Sequence, residues 1–240
     1  MSEKMHHIAC RRGDVGRYVL LPGDPGRVPM IAGYLDNAKE VASNREYTTY
    51  TGTLLGEKVS VTSTGMGCPS AAIAVEELAA VGADTFIRVG TSGAMQPYLQ
   101  PGDLVIAWGA IREEYTSQQY EPLAFPAVAD MDVTLALRQA AQERGVPFHV
   151  GITHSKDSYF GQHEPERMPI ARELQDRWQA WVQGGTLCSE MESSTILVLS
   201  TILRCRAGGI MITGGTHSDL TNLLATAVDG VKNLIELDRG

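Results

Sequence analysis

Asp84-Thr85-Phe86-Ile87-Arg88-Val89-Gly90-Thr91-Ser92-Gly93 joins a short apolar run to a stretch of glycines and small hydroxyl residues. Its first half, entered from Val81-Gly82, has the β-branched and aromatic content of a buried strand. Its second half predicts a loop whose backbone N–H groups, with no Cβ in the way, approach an anion closely. Arg88 is a charge inside the apolar part. A buried guanidinium takes a partner, so two readings stand open. One is a core ion pair with a carboxylate; the other is a bidentate grip on a phosphate shared with Thr91.

Upstream, Thr64-Gly65-Met66-Gly67-Cys68-Pro69-Ser70 breaks the chain with glycines and opens a helix. Pro69 suits its first turn, and Ala72, Val75, Leu78 and Ala79 form its apolar stripe. Residues 58 to 90 therefore predict a β-loop-α-β unit, and with it a mixed or parallel sheet. Nearer the N-terminus, the strand Tyr18-Val19-Leu20-Leu21 runs into Pro22-Gly23-Asp24-Pro25-Gly26-Arg27, and a helix is predicted from Val28. A strand, a tight turn, an arginine and a helix form the arrangement with which α/β proteins bind anions at strand ends. The same residues also make an ordinary turn. Arg45 opens a β-rich segment to Thr51, followed by a hairpin of Thr53–Leu55 and Val59–Thr62 turned at Gly56-Glu57.

Downstream, a buried-type strand is predicted at Leu104–Ala107, a long surface loop over 112 to 130, a helix at Val133–Arg144 and a strand at Phe148–Thr153. Residues 156 to 169 combine prolines with two aromatics and read as a structured loop. A ring beside the Gln162 amide suits a planar heterocycle, which needs a face to stack on and paired donors and acceptors at its edge. A helix follows through Glu173 to Val182. Leu187-Cys188-Ser189-Glu190-Met191-Glu192-Ser193 then opens an apolar helix through Leu203. Its acids either stabilise the helix dipole or bind a sugar, one taking vicinal hydroxyls while Met191 packs on the ribose and the other pairs with protein. A strand at Gly209–Thr213 and an amphipathic helix carrying Leu223, Leu224, Val228, Val231, Leu234 and Ile235 complete the pattern.

The 240 residues carry a net charge of −8, which argues against nucleic acid as a partner. Four scattered cysteines without a C-x-x-C pair read as reduced thiols, not a disulfide frame or zinc site. With no leader-type apolar core and no membrane-length apolar run, the sequence predicts a soluble, cytoplasmic protein.

Three anion-directed arginines, Glu190-Met191-Glu192-Ser193 and Phe160-Gly161-Gln162 together resemble the nucleoside phosphorylase family, with Ser43-Asn44-Arg45-Glu46-Tyr47 and Arg88-Val89-Gly90-Thr91-Ser92-Gly93 among the matching motifs. The likeness runs from Leu21 to about Arg206 and is nearest to members that cleave uridine. It implies one α/β domain over residues 1 to 240, a three-layer α/β/α fold around a mixed, partly barrel-like sheet, assembled as a hexamer of dimers. By position it implies a phosphate site of Gly23, Arg27, Arg88 and Thr91, with Arg45 donated by a neighbouring subunit together with His7 toward the ribose. Ser92 and Gly93 would line sugar and base, Tyr159 would form the aromatic wall, and Gln162 would read the base. Met191 and Glu192 would grip the ribose, with Glu190 behind them. Inorganic phosphate would be a co-substrate, no catalytic metal is needed, and a potassium ion between subunits would lie near Glu46 and Ser70. Two departures bear on the base. An arginine usual two residues after the glutamine is replaced by Glu164, leaving Arg167 or His163 to substitute, and the segment ending at His217 lacks both the usual arginine and a purine-directed acid, Asp219 being the nearest carboxylate. Purine phosphorolysis, hydrolysis by water, and nucleoside binding without turnover are the alternatives.

Overall fold

The computed structural model describes residues 3–215 and 218–240. Among these, ten strands form one mixed sheet with seven α-helices around it. The Arg88 segment is β5 (Thr85–Ala94), a ten-residue strand buried over its first six residues. It lies parallel to β1 (Tyr18–Pro22) and to β10 (Arg206–Thr213). Its far end pairs antiparallel with β9 (Cys188–Glu190), through Gly93 opposite Ser189. β9 continues to β8 (Phe148–Lys156), then β6 (Leu104–Glu113), which returns to β10. These five strands close on themselves as a barrel, and β1 extends from it to β4 (Glu57–Thr62), β3 (Tyr47–Leu54) and β2 (Asp36–Asn44).

The loop expected over residues 90 to 93 is thus strand. Glycines and small hydroxyl residues are poor strand formers alone, but ladders on both sides hold them extended: Thr91 and Ser92 against Ile212 and Thr213, then Gly93 against Ser189. The expected hairpin is present with a longer first arm: Thr53 and Leu54 end β3, which pairs antiparallel with β4 across a turn at Leu55-Gly56. β2 has no counterpart in the sequence reading. Its Asp-Asn-Ala-Lys-Glu run is charged and mostly exposed, as befits an edge strand whose unpaired side must not recruit another chain.

Two apolar cores flank the sheet. One packs α1 (Val28–Ala32), α3 (Met131–Arg144) and α7 (Thr221–Arg239) on one face, through Ile31, Leu137, Leu223, Val231 and Leu234. The other packs α2 (Cys68–Ala80) against α6 (Ser193–Ile202), through Ala74, Val75, Leu78, Ile196 and Leu199. The expected helices at 69, 133 and 223 are therefore layer helices, and the three-layer α/β/α arrangement holds. α4 (Tyr159–His163) and α5 (Ala171–Gln183) lie at one end of the barrel and contact each other.

The surface loop expected over 112 to 130 is instead partly core. β6 runs on to Glu113, a short 3-10 turn covers Ser117–Gln119 and β7 (Ala127–Val128) pairs back on β6. Arg112 organises it. Its buried guanidinium donates to the Ser117 hydroxyl at 2.9 Å and to the carbonyls of Pro122 and Glu121 at 2.7 Å each. Five fixed N–H donors satisfy a turn whose backbone would otherwise need water. No helix among the described residues is long and apolar enough to cross a membrane.

Candidate active site

The polar groups singled out from the sequence gather in three places around the β5 end of the barrel.

The first is an anion end. Arg88 is 5% exposed. Its Nη2 pairs with Glu192 Oε2, and its Nε lies 3.7 Å from Glu190 Oε2 with no hydrogen-bond partner. Arg27, at the end of the 3-10 turn Pro25–Arg27, is largely buried and has Asp24 at 3.9 Å. Burial lowers the Arg27 pKa, and the Arg88 charge pushes the same way. Two like charges thus act on each other in a poorly solvated corner. Gly23 keeps that corner open: a Cβ there would meet the Gly65 carbonyl at 3.2 Å and Arg88 Nη1 at 3.5 Å. Gly90 does more, since a Cβ on it would sit 2.9 Å from the guanidinium carbon of Arg88. Arg88 thus has the buried carboxylate partner of the first reading, and its Nε has no hydrogen-bond partner.

The second is the Glu190-Met191-Glu192 segment. It is not the first turn of a helix, as the sequence suggested; Glu190 ends β9 and Glu192 precedes α6. Both carboxylates are held by protein. Glu190 Oε2 accepts from the backbone N–H groups of Glu192 at 2.8 Å and Ser193 at 2.9 Å, filling the role that capping side chains fill at helix starts. Glu192 Oε1 accepts from Gly67 N–H at 2.7 Å, delivered by a left-handed backbone at Gly67 (φ 88°). Burial pushes the Glu192 pKa up against the opposing pull of Arg88. Met191 is half-buried between them.

The third is the base end expected around Gln162. A Cβ on Gly93 would lie 4.0 Å from Gln162 Nε2, which brings β5 and α4 together. Ser92 is buried, its hydroxyl donating to the Ile212 carbonyl at 3.2 Å, and Thr91 is half-buried. Tyr159 is 53% exposed, edge-on to Phe160 and 4.2 Å from the His163 ring. The two substitutes considered for the missing arginine have protein partners here. Arg167 pairs with Glu164 at 2.6 Å and lies over the Phe160 ring, and His163 packs on Tyr159. Asp219 is exposed and binds Thr221 N–H and hydroxyl at the start of α7, at 3.0 and 2.7 Å. His217 lies outside the described residues.

Three groups that the sequence reading passed over complete the base end. The Ser189 hydroxyl donates to Gln162 Oε1 at 2.7 Å, accepts from Lys156 Nζ at 2.9 Å and lies 3.0 Å from His154 Nδ1. His154 Nε2 in turn faces Glu113 at 2.5 Å. A cavity of about 550 Å³ between β8, α4 and α5 is walled by Lys156, Gln162, His154, Leu174 and Trp178. A charge at the end of the apolar strand Phe148–Thr153 was the available signal for Lys156; Ser189 carried none.

Arg45 and His7 stand apart from these places but beside each other. Arg45 is exposed at the β2–β3 hairpin tip with φ 54°. The neighbouring Asn44 side chain donates to the His7 carbonyl at 2.7 Å, and His7 Nδ1 lies 2.7 Å from Glu77. Ser70 donates to Glu46 Oε1 at 3.0 Å next to this tip.

A family model for the phosphorylase superfamily matches residues 17–237, and the chain belongs to that superfamily. It is 47% identical to the uridine phosphorylase of Treponema pallidum (strain Nichols), over 97% of this chain and 95% of that one. It is 54% identical to the uridine phosphorylase of Thermococcus kodakarensis, over 85% and 74%. A guanosine phosphorylase of Halorubrum lacusprofundi is 41% identical over 88% and 83%. The closed barrel between helical layers is the architecture that the resemblance to nucleoside phosphorylases implied.

Proposed function

We propose that the protein is a nucleoside phosphorylase, a pentosyltransferase that reversibly converts uridine and phosphate to uracil and α-ribose 1-phosphate, with deoxyuridine and thymidine as further candidate substrates. The observation that carries this reading is the Arg88 guanidinium beside Gly23, paired with Glu192 and close enough to Arg27 for the two charges to act on each other. Two guanidinium charges suit a dianion, and a carboxylate near them suits a diol. Family membership and the uridine phosphorylase relatives support the choice of reaction and substrate.

In this mechanism phosphate, held by Gly23, Arg27, Arg88 and Thr91, attacks C1′ from the face opposite the base. Fixing the nucleophile removes most of the entropic barrier to an in-line approach. The C1′–N1 bond breaks with its electron pair going to uracil, and the sugar passes through an oxocarbenium-like state stabilised by the phosphate charge. Glu192 and Met191 hold the ribose, Glu190 fixes their backbone, and Ser92, Gly93, Tyr159 and Gln162 hold the base.

Arg45 and His7 complete the site from a neighbouring subunit, within a hexamer built from dimers. Their joint placement at one exposed tip, linked by Asn44, favours donation together. Glu46 and Ser70 beside that tip would hold a potassium ion that bridges subunits electrostatically. A cytoplasmic location accords with the four free cysteines, and the whole chain, 1 to 240, acts as one domain. Purine cleavage is the less supported reading, because Asp219, the nearest acid, is committed to Thr221.

Base release from uridine and from inosine, each with and without phosphate, tests the proposal. Phosphate-dependent uracil release is the expected result. Hypoxanthine as the dominant product, release without phosphate, or no release from either would each overturn it.

A further inference from the structure

The Glu77 carboxylate, on α2, is 9% exposed and serves one short piece of chain. Its Oε2 accepts from the backbone N–H groups of His7 at 3.0 Å and Ile8 at 2.8 Å, and its Oε1 lies 2.7 Å from His7 Nδ1. Among the described residues no lysine or arginine pairs with it. Burial raises its pKa, but the bonds from Ile8 and His7 outweigh that and hold the carboxyl below its usual range. Ile8 is fully buried in the core of α2 and α6, and Asn44 donates to the His7 carbonyl at 2.7 Å. The backbone of His7 is therefore fixed on both sides, while its side chain stays 33% exposed.

An ionised carboxylate only accepts, so the ring nitrogen that faces it, Nδ1, carries a proton. In the neutral ring this leaves Nε2 as an acceptor. No hydrogen bond reaches Nε2 among the described residues. The group that meets it is therefore a donor. In the shared-site reading His7 enters the site of a neighbouring subunit, where Glu192 and Met191 take the diol edge of the ribose. The hydroxyl left for His7 is the one on C5′, and the Glu77 contact requires that hydroxyl to donate.

We propose that Glu77 is the positioning residue that presents His7 Nε2 as a hydrogen-bond acceptor to the 5′-hydroxyl of the nucleoside in the neighbouring subunit. This rests on the phosphorylase and shared-site readings above. It sets a rule for the 5′ position: a group that donates is favoured, and one that only accepts, such as fluorine or a phosphate dianion, meets an opposing lone pair. A Glu77 that merely anchored the arm would impose no such rule. Glu77→Gln separates the two roles. Its amide oxygen keeps the two backbone N–H groups at the Oε2 position, and its NH2 then faces Nδ1. Nδ1 must accept there, which moves the ring proton to Nε2 and reverses the sense of the bond.

The experiment compares phosphate-dependent kcat/KM for uridine, whose 5′-hydroxyl donates or accepts, and 5′-deoxy-5′-fluorouridine, whose fluorine only accepts. The wild-type protein should prefer uridine about 100-fold, and Glu77→Gln should narrow that preference about tenfold while uridine itself loses less than in His7→Ala. Equal losses on both nucleosides in Glu77→Gln, with the preference unchanged, would overturn the proposal. Should Glu77→Gln fail to fold, His7→Ala decides on the same ratio: a collapsed preference supports the proposal and a retained one overturns it. A His7→Ala protein as active on uridine as the wild type would overturn the shared placement of His7, and the proposal with it. Failure of the wild-type protein to release uracil with phosphate would instead overturn the phosphorylase reading, before any variant is compared.

Discussion

Arg88 and Glu192, 104 residues apart, meet as an ion pair whose two side chains are 6% and 4% exposed. The pair ties β5 to the start of α6, and Gly67 N–H secures the same carboxylate from a third direction. Charges so deeply placed are costly to bury, and they persist where removal of either leaves the other without a partner.

Arg88→Ala should therefore be costly twice over. Loss of the partner should destabilise the fold by about 3–5 kcal/mol, read from urea unfolding midpoints. Phosphate-dependent turnover should fall by at least about 100-fold if the guanidinium binds the nucleophile. Arg88→Met combined with Glu192→Gln should recover most of the stability and none of the activity. Recovery of turnover in that pair would show that Arg88 serves the fold alone.

Gly90→Ala separates the two roles by another route. The new methyl group would lie 2.9 Å from the Arg88 guanidinium, the movable end of a long side chain. The arginine should shift at a stability cost of about 1–3 kcal/mol, while KM for phosphate rises about tenfold or more. An unchanged phosphate KM would place the anion elsewhere.

The shared-site proposal predicts complementation. Arg45→Ala and Arg88→Ala proteins should each be nearly inactive, yet co-refolding them should restore activity. In a mixed dimer one site receives an intact Arg88 and an intact Arg45, so random mixing should return about a quarter of wild-type sites. Activity no higher than the sum of the separate variants would refute donation by Arg45.

Asp238 predicts the pH response of stability. It receives the Arg206 guanidinium at 2.9 and 2.6 Å and the Tyr18 hydroxyl at 2.6 Å, joining α7 to β10 and β1. The Arg206 bond holds its carboxyl below the usual range against the effect of burial. With a folded pKa below the unfolded value of about 3.9, this stabilisation is complete above that value and is lost as pH falls through the folded one. Asp238→Asn should cost about 1–3 kcal/mol at pH 7 and progressively less below pH 4. At the alkaline end, burial and Asp238 raise the Tyr18 phenol to about 12. Its contribution is complete below the unfolded pKa of about 10 and is lost as pH climbs toward the folded one. A constant wild-type–variant difference from pH 2 to 7, in denaturant titrations, would contradict the assignment.

What could be read from the sequence followed from local order. Helices with apolar stripes at Ala72–Ala79 and Leu223–Ile235 fell where periodicity put them, as did the short apolar strands. β2 did not, because an edge strand with charged residues has no apolar alternation to detect. The end of β5 read as a loop because its strand character comes from β10 and β9, which lie about a hundred residues further along. The candidate site divided in the same way. Arginines and carboxylates are conspicuous residue types and could be picked out singly, whereas Ser189 is an ordinary serine until folding sets it between Lys156 and Gln162. Arg112 belongs to the same class: five donors look like a surface charge until the carbonyls of 121 and 122 close around them.

The closed barrel has a consequence for how this protein can change over generations. Arg88, the proposed phosphate ligand, sits on β5, which is laced to β1, β10 and β9, so a substitution there is transmitted to several neighbours at once. Part of the base end, Tyr159 and Gln162, instead rests on the five-residue helix α4, where Tyr159 and Phe160 stand half in solvent. Residues 158 to 170 can be rewritten without opening the barrel. New preferences among bases therefore lie a few mutational steps away, while the choice of attacking group is locked into the scaffold that lets the chain fold.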